Sequence, residues 1–237
     1  MKIITWNCNM AFRKKAGLLL QYRPDILVIP ECECPDKLIF PKEIQQPADV
    51  LWFGGNANKG LGVFAYGPYR FKLLKIHNPA FKTILPIVVN GGDIDFTLFA
   101  IWANNPQEPA QQYVGQVWKA LEYYKKLIRS KRTLLIGDFN SNTIWDKPRR
   151  VGNHTDVVNT LAKKGISSVY HHHYDQTHGS ELHPTFALYR HKNKPYHLDY
   201  CFASADFIGK LKHVEIGAHE DWCGLSDHQP LVVEFDM

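Results

Sequence analysis

RTLLIGDFN (132–140) runs a short apolar stretch, Thr133–Ile136, into a glycine and then sets Asp138 and Asn140 two residues apart. An apolar run of this length bounded by turn residues reads as a strand buried on both faces. Polar residues where such a strand ends stand where a rigid scaffold displays reactive groups. The same arrangement recurs along the chain: KIITW (2–6) ends at Asn7, and DILVIP (25–30) ends at Glu31. Asp199 lies within HLDYCFA (197–203), and Asp227-His228 precede PLVVEF (230–235).

Outward from these runs the pattern is strand-rich. Strands are expected near 50–53, 62–66, 71–76, 84–90, 94–102, 185–188, 197–203, 211–216 and 230–235. Helices are expected over 13–22, ended by Arg23-Pro24, over 110–128, and over 154–164, stopped by Gly165. In the second, Tyr113, Val117, Leu121, Tyr124 and Ile128 recur at helical spacing. So many strands with few helices between them argue against a simple doubly wound sheet. The expected fold is α/β, with two mixed sheets packed face to face and helices outside. No repeat or linker divides the 237 residues, so residues 1–237 are expected to form one domain.

Hydrophobic residues make up 45% of the chain and charged residues 22%, the balance of a globular protein with a real core. No stretch approaches the roughly 20 apolar residues that span a membrane. The opening MKIITWNCNM lacks the features of a signal peptide, so a cytoplasmic protein is expected, taken as a monomer. Five cysteines do not make a disulfide framework, and buried thiols are expected rather than a zinc site using Cys8, Cys32 and Cys34. The formal charge of +5 suits contact with a polyanion. Basic groups at Arg13-Lys14-Lys15 and Lys147–Arg150 follow the polar strand ends closely, and Trp102, Trp145 and Trp222 lie near them.

These residue types suit hydrolysis of a phosphate ester. A phosphodiester is anionic and repels a hydroxide nucleophile, and a hard cation held by few carboxylates offsets that charge. Glu31 with the Asn7 side-chain oxygen suits such a cation. Asp138 and Asn140 can accept from and orient a water, and Asp227-His228 can polarise a phosphate or handle a proton.

WNCN (6–9), PE (30–31), GDFN (137–140), HLDY (197–200) and SDH (226–228) occur in an order that resembles the endonuclease/exonuclease/phosphatase superfamily. That group includes exonuclease III-like repair nucleases, pancreatic deoxyribonuclease and inositol-phosphate phosphoesterases. The resemblance implies a four-layered α-β-β-α sandwich with the site at one rim. It implies Asn7 and Glu31 as metal ligands for Mg2+ (or Mn2+), and Asp138 and Asn140 as the residues that position or activate water. Asp199 would assist the metal or leaving group, His228 would contact phosphate, and Asp227 would orient its ring. At IWANN (101–105), Trp102 stands where the repair nucleases carry a tyrosine, with Asn105 three residues on. Both are candidate substrate-binding residues, as is His183 near the HLDY strand. The expected substrate is a nucleic acid, DNA before RNA; the alternative is a small-molecule or lipid-headgroup phosphate.

Taken singly, each motif has a plainer account. Asn7 can cap a turn, Gly137-Asp138 can be a turn, and Asp227-His228 can cap the last strand. His171-His172-His173 invites a metal reading. Neighbours on an extended chain point oppositely, so a solvated loop is the expectation there.

Overall fold

A computed structural model describes residues 1–104 and 113–237. The first sheet joins β1 (Lys2–Thr5), β2 (Ile26–Cys32), β3 (Asp49–Asn56), β4 (Lys59–Ala65), β13 (Leu211–Ile216) and β14 (Leu231–Phe235) in the order β13-β14-β1-β2-β4-β3. The second joins β5 (Arg70–Leu73), β6 (Ile84–Asn90), β7 (Phe96–Trp102), β8 (Thr133–Asp138), β9 (Ile166–Ser168) and β12 (Asp199–Ser204) in the order β5-β6-β7-β8-β12-β9. Each is mixed, with one parallel pair: β1 with β2, and β7 with β8. A small ribbon of β10 (Phe186–Ala187) and β11 (Pro195–Tyr196) stands apart from both.

Alternating side chains on the strands build three cores. Ile3, Val28 and Val63 meet Leu85, Ile87, Leu98, Leu134 and Ile136 between the sheets. On the outer face of the first sheet, Ile4, Leu27 and Phe64 pack against Phe12, Trp222 and α1 (Ala16–Leu20). On the outer face of the second, Phe99 and Leu135 pack against α2 (Val114–Tyr123) and α3 (His154–Ala162). The layers therefore run helix, sheet, sheet, helix. Among the described residues no helix is long and apolar enough to cross a membrane.

Three expectations need correction. The helix expected over 13–22 is a 3-10 turn, Phe12–Lys14, followed by the five-residue α1. Asn9, Met10 and Ala11 are all left-handed there. Lys15 Nζ reaches back to the carbonyls of Cys8 (2.6 Å), Asn9 (3.3 Å) and Leu225 (2.8 Å), so this lysine braces a loop. Arg13 is paired with Glu33 at 2.9 Å. The helix expected over 110–128 begins at Val114 behind a left-handed Tyr113; its first expected residues, 110–112, lie outside the described ones. The histidine run is not a loop but α4 (Val169–Tyr174), which turns His171 inward and leaves His172 and His173 exposed. Cys8 and Cys32 are buried thiols pushed up by burial, and all five cysteines are free.

Gly137 is required by its neighbour. Its φ is +146°, and a Cβ built there would lie 1.8 Å from the Ile101 carbonyl oxygen on the adjacent parallel strand. The nearest atoms are all Ile101 backbone, which has no side-chain freedom to yield. Gly137→Ala is expected to lower stability by about 3 kcal/mol or more, read as the urea midpoint. A midpoint within error of the parent would contradict this close approach.

Candidate active site

Strand pairing brings the acidic residues together. In β12, Asp199 is paired directly with Asp138 of β8, and Trp102 of β7 flanks Asp138 on the other side. Directly opposed residues share a face of the sheet, so both carboxylates project the same way. Neither is exposed to solvent. On the first sheet, the Trp6 N–H donates to Val28 O at 3.2 Å and the Cys8 N–H to Pro30 O at 3.1 Å. Asn7 and Glu31 thus leave the sheet from adjacent strand ends.

Asp138 is the hub. Its Oδ1 accepts from the Asn140 N–H at 2.8 Å; its Oδ2 accepts from Asn7 Nδ2 and Asn140 Nδ2, each at 3.0 Å. Asn140 is left-handed at φ +46°, and its Nδ2 also donates to Ala103 O at 2.7 Å. Local backbone and a second strand together hold this carboxamide. His228 Nε2 lies 3.9 Å from Asp138 Oδ2, and its Nδ1 is bonded to Asp199 Oδ2 at 2.8 Å. The Trp6 indole N–H donates to His228 O at 2.9 Å, and Ser226 Oγ accepts the His228 N–H at 3.1 Å while donating to Asn7 O at 2.7 Å.

Burial and the Asp199 charge push the Asp138 carboxyl up. Burial alone would push the His228 imidazole down, but the Asp199 and Asp138 carboxylates outweigh it and hold His228 well above its ordinary value. The two acidic neighbours thus favour a proton on the buried His228 ring. Asp199 Oδ1 is buried with no hydrogen-bond partner among the described residues, and Asp138, Asp199 and His228 each offer a ligand atom within 4.8 Å of the others. An orphaned carboxylate oxygen beside carboxamide and carboxylate donors is chemistry that fits a hard divalent cation. Glu31, left-handed at φ +60°, pairs with Lys59 at 3.0 Å.

The cleft over these residues, about 440 Å³, is lined by Glu31, Lys59, Trp102, Asn104, Tyr113 and Asn140. A second cavity of about 300 Å³ shares Tyr113 and Asn140 and adds Trp145, Lys147 and Arg150. Asn140 sits where the two meet.

Two predicted site residues are placed elsewhere. Asp227 does not hold the His228 ring: Asp199, from β12 of the facing sheet, takes Nδ1, and the Asp227 carboxylate is engaged by Ser226 Oγ at 3.4 Å. His183 Nδ1 is bonded to the Tyr170 hydroxyl at 2.9 Å and lines a different cavity, with Pro195 and Gln229. Trp102 does border the cleft, but it is only 9% exposed and Lys59 Nζ lies 5.6 Å from its ring centroid, so it is a wall and not a free stacking face. Trp222 packs edge-on against Trp6 at 4.9 Å, whereas Trp145 is exposed. Asn105 lies outside the described residues.

Lys59 carries weight that spacing did not reveal, and Thr185, a cleft candidate by its place near the HLDY strand, instead holds the start of β12. Lys59 opens β4, and pairing of Cys32 with Gly60 is what sets it beside Glu31. Thr185 Oγ1, fully buried, accepts the N–H groups of Leu198 (2.9 Å) and Asp199 (3.0 Å). Thr185→Val keeps the shape and orphans both donors, so it is expected to lower stability by about 2 kcal/mol, with Thr185→Ser restoring the parent urea midpoint. A neutral Thr185→Val would show that these bonds do not hold Asp199.

A two-sheet α/β sandwich with a carboxylate–imidazole–carboxamide cluster at one rim is the class that fold and site define. More particularly, the pattern of the Endonuclease/Exonuclease/phosphatase family matches residues 4–228, and the chain belongs to that family. It is 25% identical over 265 residues to Recombination repair protein 1 of Drosophila melanogaster, covering all of this chain and 37% of that protein's length. Among solved structures, its fold is similar to that of an AP endonuclease from Leishmania major, with a TM-score of 0.74 and 13% identity, covering 100% of this chain and 87% of that one. It is also similar to a Neisseria 3' phosphatase bound to a product DNA hairpin, with a TM-score of 0.68 and 20% identity over 100% of both chains.

Proposed function

We propose that this chain is a divalent-cation-dependent hydrolase of phosphate esters, with DNA phosphodiester or terminal phosphate as substrate and residues 1–237 acting as one domain. The observation that carries the reading is the buried Asp138–His228–Asp199 unit joined to Asn7 and Asn140 beneath a cleft with a basic wall. The family, and the repair and DNA-bound relatives within it, support the choice of substrate class.

In this reading Asn7 and Glu31 would hold Mg2+ or Mn2+, with Asp199 Oδ1 as an added donor; the cation's chemistry is neutralisation of phosphate charge. Asn140 presents its free side-chain oxygen to the attacking water, and Asp138 accepts the water's proton as the new P–O bond forms. Burial and the nearby Asp199 charge raise Asp138 toward neutrality, which suits a proton acceptor. His228, kept protonated between its carboxylates, donates from Nε2 to a phosphate oxygen. The ester P–O bond breaks, and the leaving oxygen departs and takes a proton from solvent.

A panel of single- and double-stranded DNA and RNA with Mg2+, Mn2+ or EDTA tests this. Cleavage or 3' dephosphorylation of DNA with either metal, lost in EDTA, is expected. Silence toward every polynucleotide with turnover of small phosphomonoesters would move the substrate to the smaller class.

Lys147 and Arg150 line the cavity that meets the cleft at Asn140, beside the exposed Trp145. If both contact phosphate, Lys147→Ala with Arg150→Ala should reduce the salt dependence of DNA affinity by about 2 in the log–log slope. Affinity should fall about tenfold at low salt, with kcat at saturation nearly unchanged. An unaltered slope would take the polyanion elsewhere.

A further inference from the structure

Among the described residues that line the cleft with Asn140, Lys59 is the one cationic side chain. Other basic residues near the strand ends face different groups. Lys15 donates to the carbonyls of Cys8, Asn9 and Leu225, and Arg13 is paired with Glu33. Lys147 and Arg150 line the neighbouring cavity. An anion entering over Glu31, Asp138 and Asp199 therefore meets Lys59 as the cation in the cleft wall.

The chain fixes where that ammonium stands. Lys59 pairs with Asn56 across the turn Ala57-Asn58 that joins β3 to β4. Inside the turn, Asn56 Oδ1 accepts the Asn58 N–H at 2.9 Å. From outside, the Cys34 N–H donates to Ala57 O at 2.9 Å and Lys37 Nζ to Asn58 Oδ1 at 2.6 Å. The Trp52 indole N–H donates to Cys32 O at 3.0 Å and ties the hairpin to β2. In β2, Pro30 pairs with Leu61 and Cys32 with Gly60, which leaves Glu31 bulged between them. Bulges beside active sites re-aim a side chain, and this one brings Glu31 Oε2 to Lys59 Nζ at 3.0 Å. The Trp102 ring lies 5.6 Å from the same Nζ, within cation–π reach.

A partly exposed ion pair contributes little to stability, whereas an ammonium held at the wall of an acidic cleft offsets the charge that repels a phosphate. We propose that Lys59 is a further catalytic residue, donating from Nζ to a non-bridging oxygen of the bound phosphate, a role that rests on the phosphate-ester reading above. No bond to Lys59 forms or breaks. Its charge counts most in the transition state, as negative charge gathers on those oxygens. Lysine suits this task as a compact point charge with three donors. The ion pair uses Glu31 Oε2, which leaves Oε1 for the divalent cation, so one carboxylate can serve both.

The test reads binding of inorganic phosphate, which needs no turnover, by equilibrium dialysis of the whole protein in saturating Mn2+. Lys59→Met should weaken phosphate binding by about 10- to 100-fold, the effect of losing a charge-assisted hydrogen bond, and Lys59→Arg should stay within about fivefold of the parent. Mn2+ affinity, read from the EPR signal of the free ion, should be equal or tighter in Lys59→Met, because a competing charge at Glu31 is gone. On DNA, kcat of Lys59→Met should fall by about 10²-fold or more. Lys59→Gln keeps an N–H donor without the charge and should show the same losses if Lys59→Met does not fold. Phosphate binding within twofold of the parent in the uncharged variant would overturn the proposal, as would a parent that binds no phosphate. A loss of Mn2+ affinity as large as the loss of phosphate affinity would overturn it too, making Lys59 a brace for Glu31. Phosphate bound through Lys59 with no ester hydrolysed by the parent would sink the hydrolase reading instead. Unchanged DNA turnover in Lys59→Met would remove Lys59 alone.

Discussion

Asp138→Asn is expected to lower kcat by about 10³-fold or more while leaving a folded chain. Asp138 is a point at which both sheets and the site meet. It accepts from Asn7 on the first sheet and from Asn140 through backbone and side chain, and it faces Asp199 across a strand pair. The substitution keeps the volume but removes the proton acceptor. It also turns one acceptor into a donor against the Asn7 and Asn140 amides. That local loss is offset by relief of a buried carboxylate whose protonation burial and Asp199 already favour. Thermal stability should therefore shift by only a few degrees, the pattern of a group kept for activity and not for stability. The measurement is steady-state turnover of a DNA oligonucleotide with Mg2+, paired with a thermal melt. Turnover within tenfold of the parent would remove Asp138 from the chemistry.

What could be read from sequence divides along a physical line. Apolar runs between turn residues report burial on both faces, so DILVIP and RTLLIG were legible as strands, and the two-sheet sandwich followed from their number. Five residues named at strand ends or inside a strand fall into two hydrogen-bonded groups, Asn7–Asp138–Asn140 and Asp199–His228, which Ser226 Oγ bridges by donating to Asn7 O and accepting the His228 N–H. Cross-strand register is what spacing does not encode. Asp227 is adjacent to His228 in the chain, yet Asp199, 29 residues away, is its partner because of how β12 and the segment before β14 lie. Lys59 was hidden for the same reason: only the pairing of β2 with β4 puts it beside Glu31. The histidine run illustrates the opposite error. An extended reading scatters His171, His172 and His173, whereas one helical turn selects His171 alone for the interior.

The second large effect separates the two aspartates that sequence could not rank. Asp199→Asn is expected to lower kcat by about 10²- to 10⁴-fold, because Asp199 Oδ2 is the acceptor that fixes the His228 ring and the first charge that keeps it protonated. Asp227→Asn is expected to leave kcat within about threefold. Its side chain is engaged by Ser226 Oγ at 3.4 Å, and its carbonyl accepts from the Ala187 N–H at 2.8 Å, a bond that does not need the carboxylate. Groups that act as one unit fail together: His228→Ala combined with Asp199→Asn should cost about as much as the worse single change, not their product. The cycle is read from single-turnover rates with metal and DNA saturating. A large Asp227→Asn defect, or fully multiplicative loss in the Asp199/His228 pair, would mean that the imidazole takes its orientation and charge from somewhere other than β12.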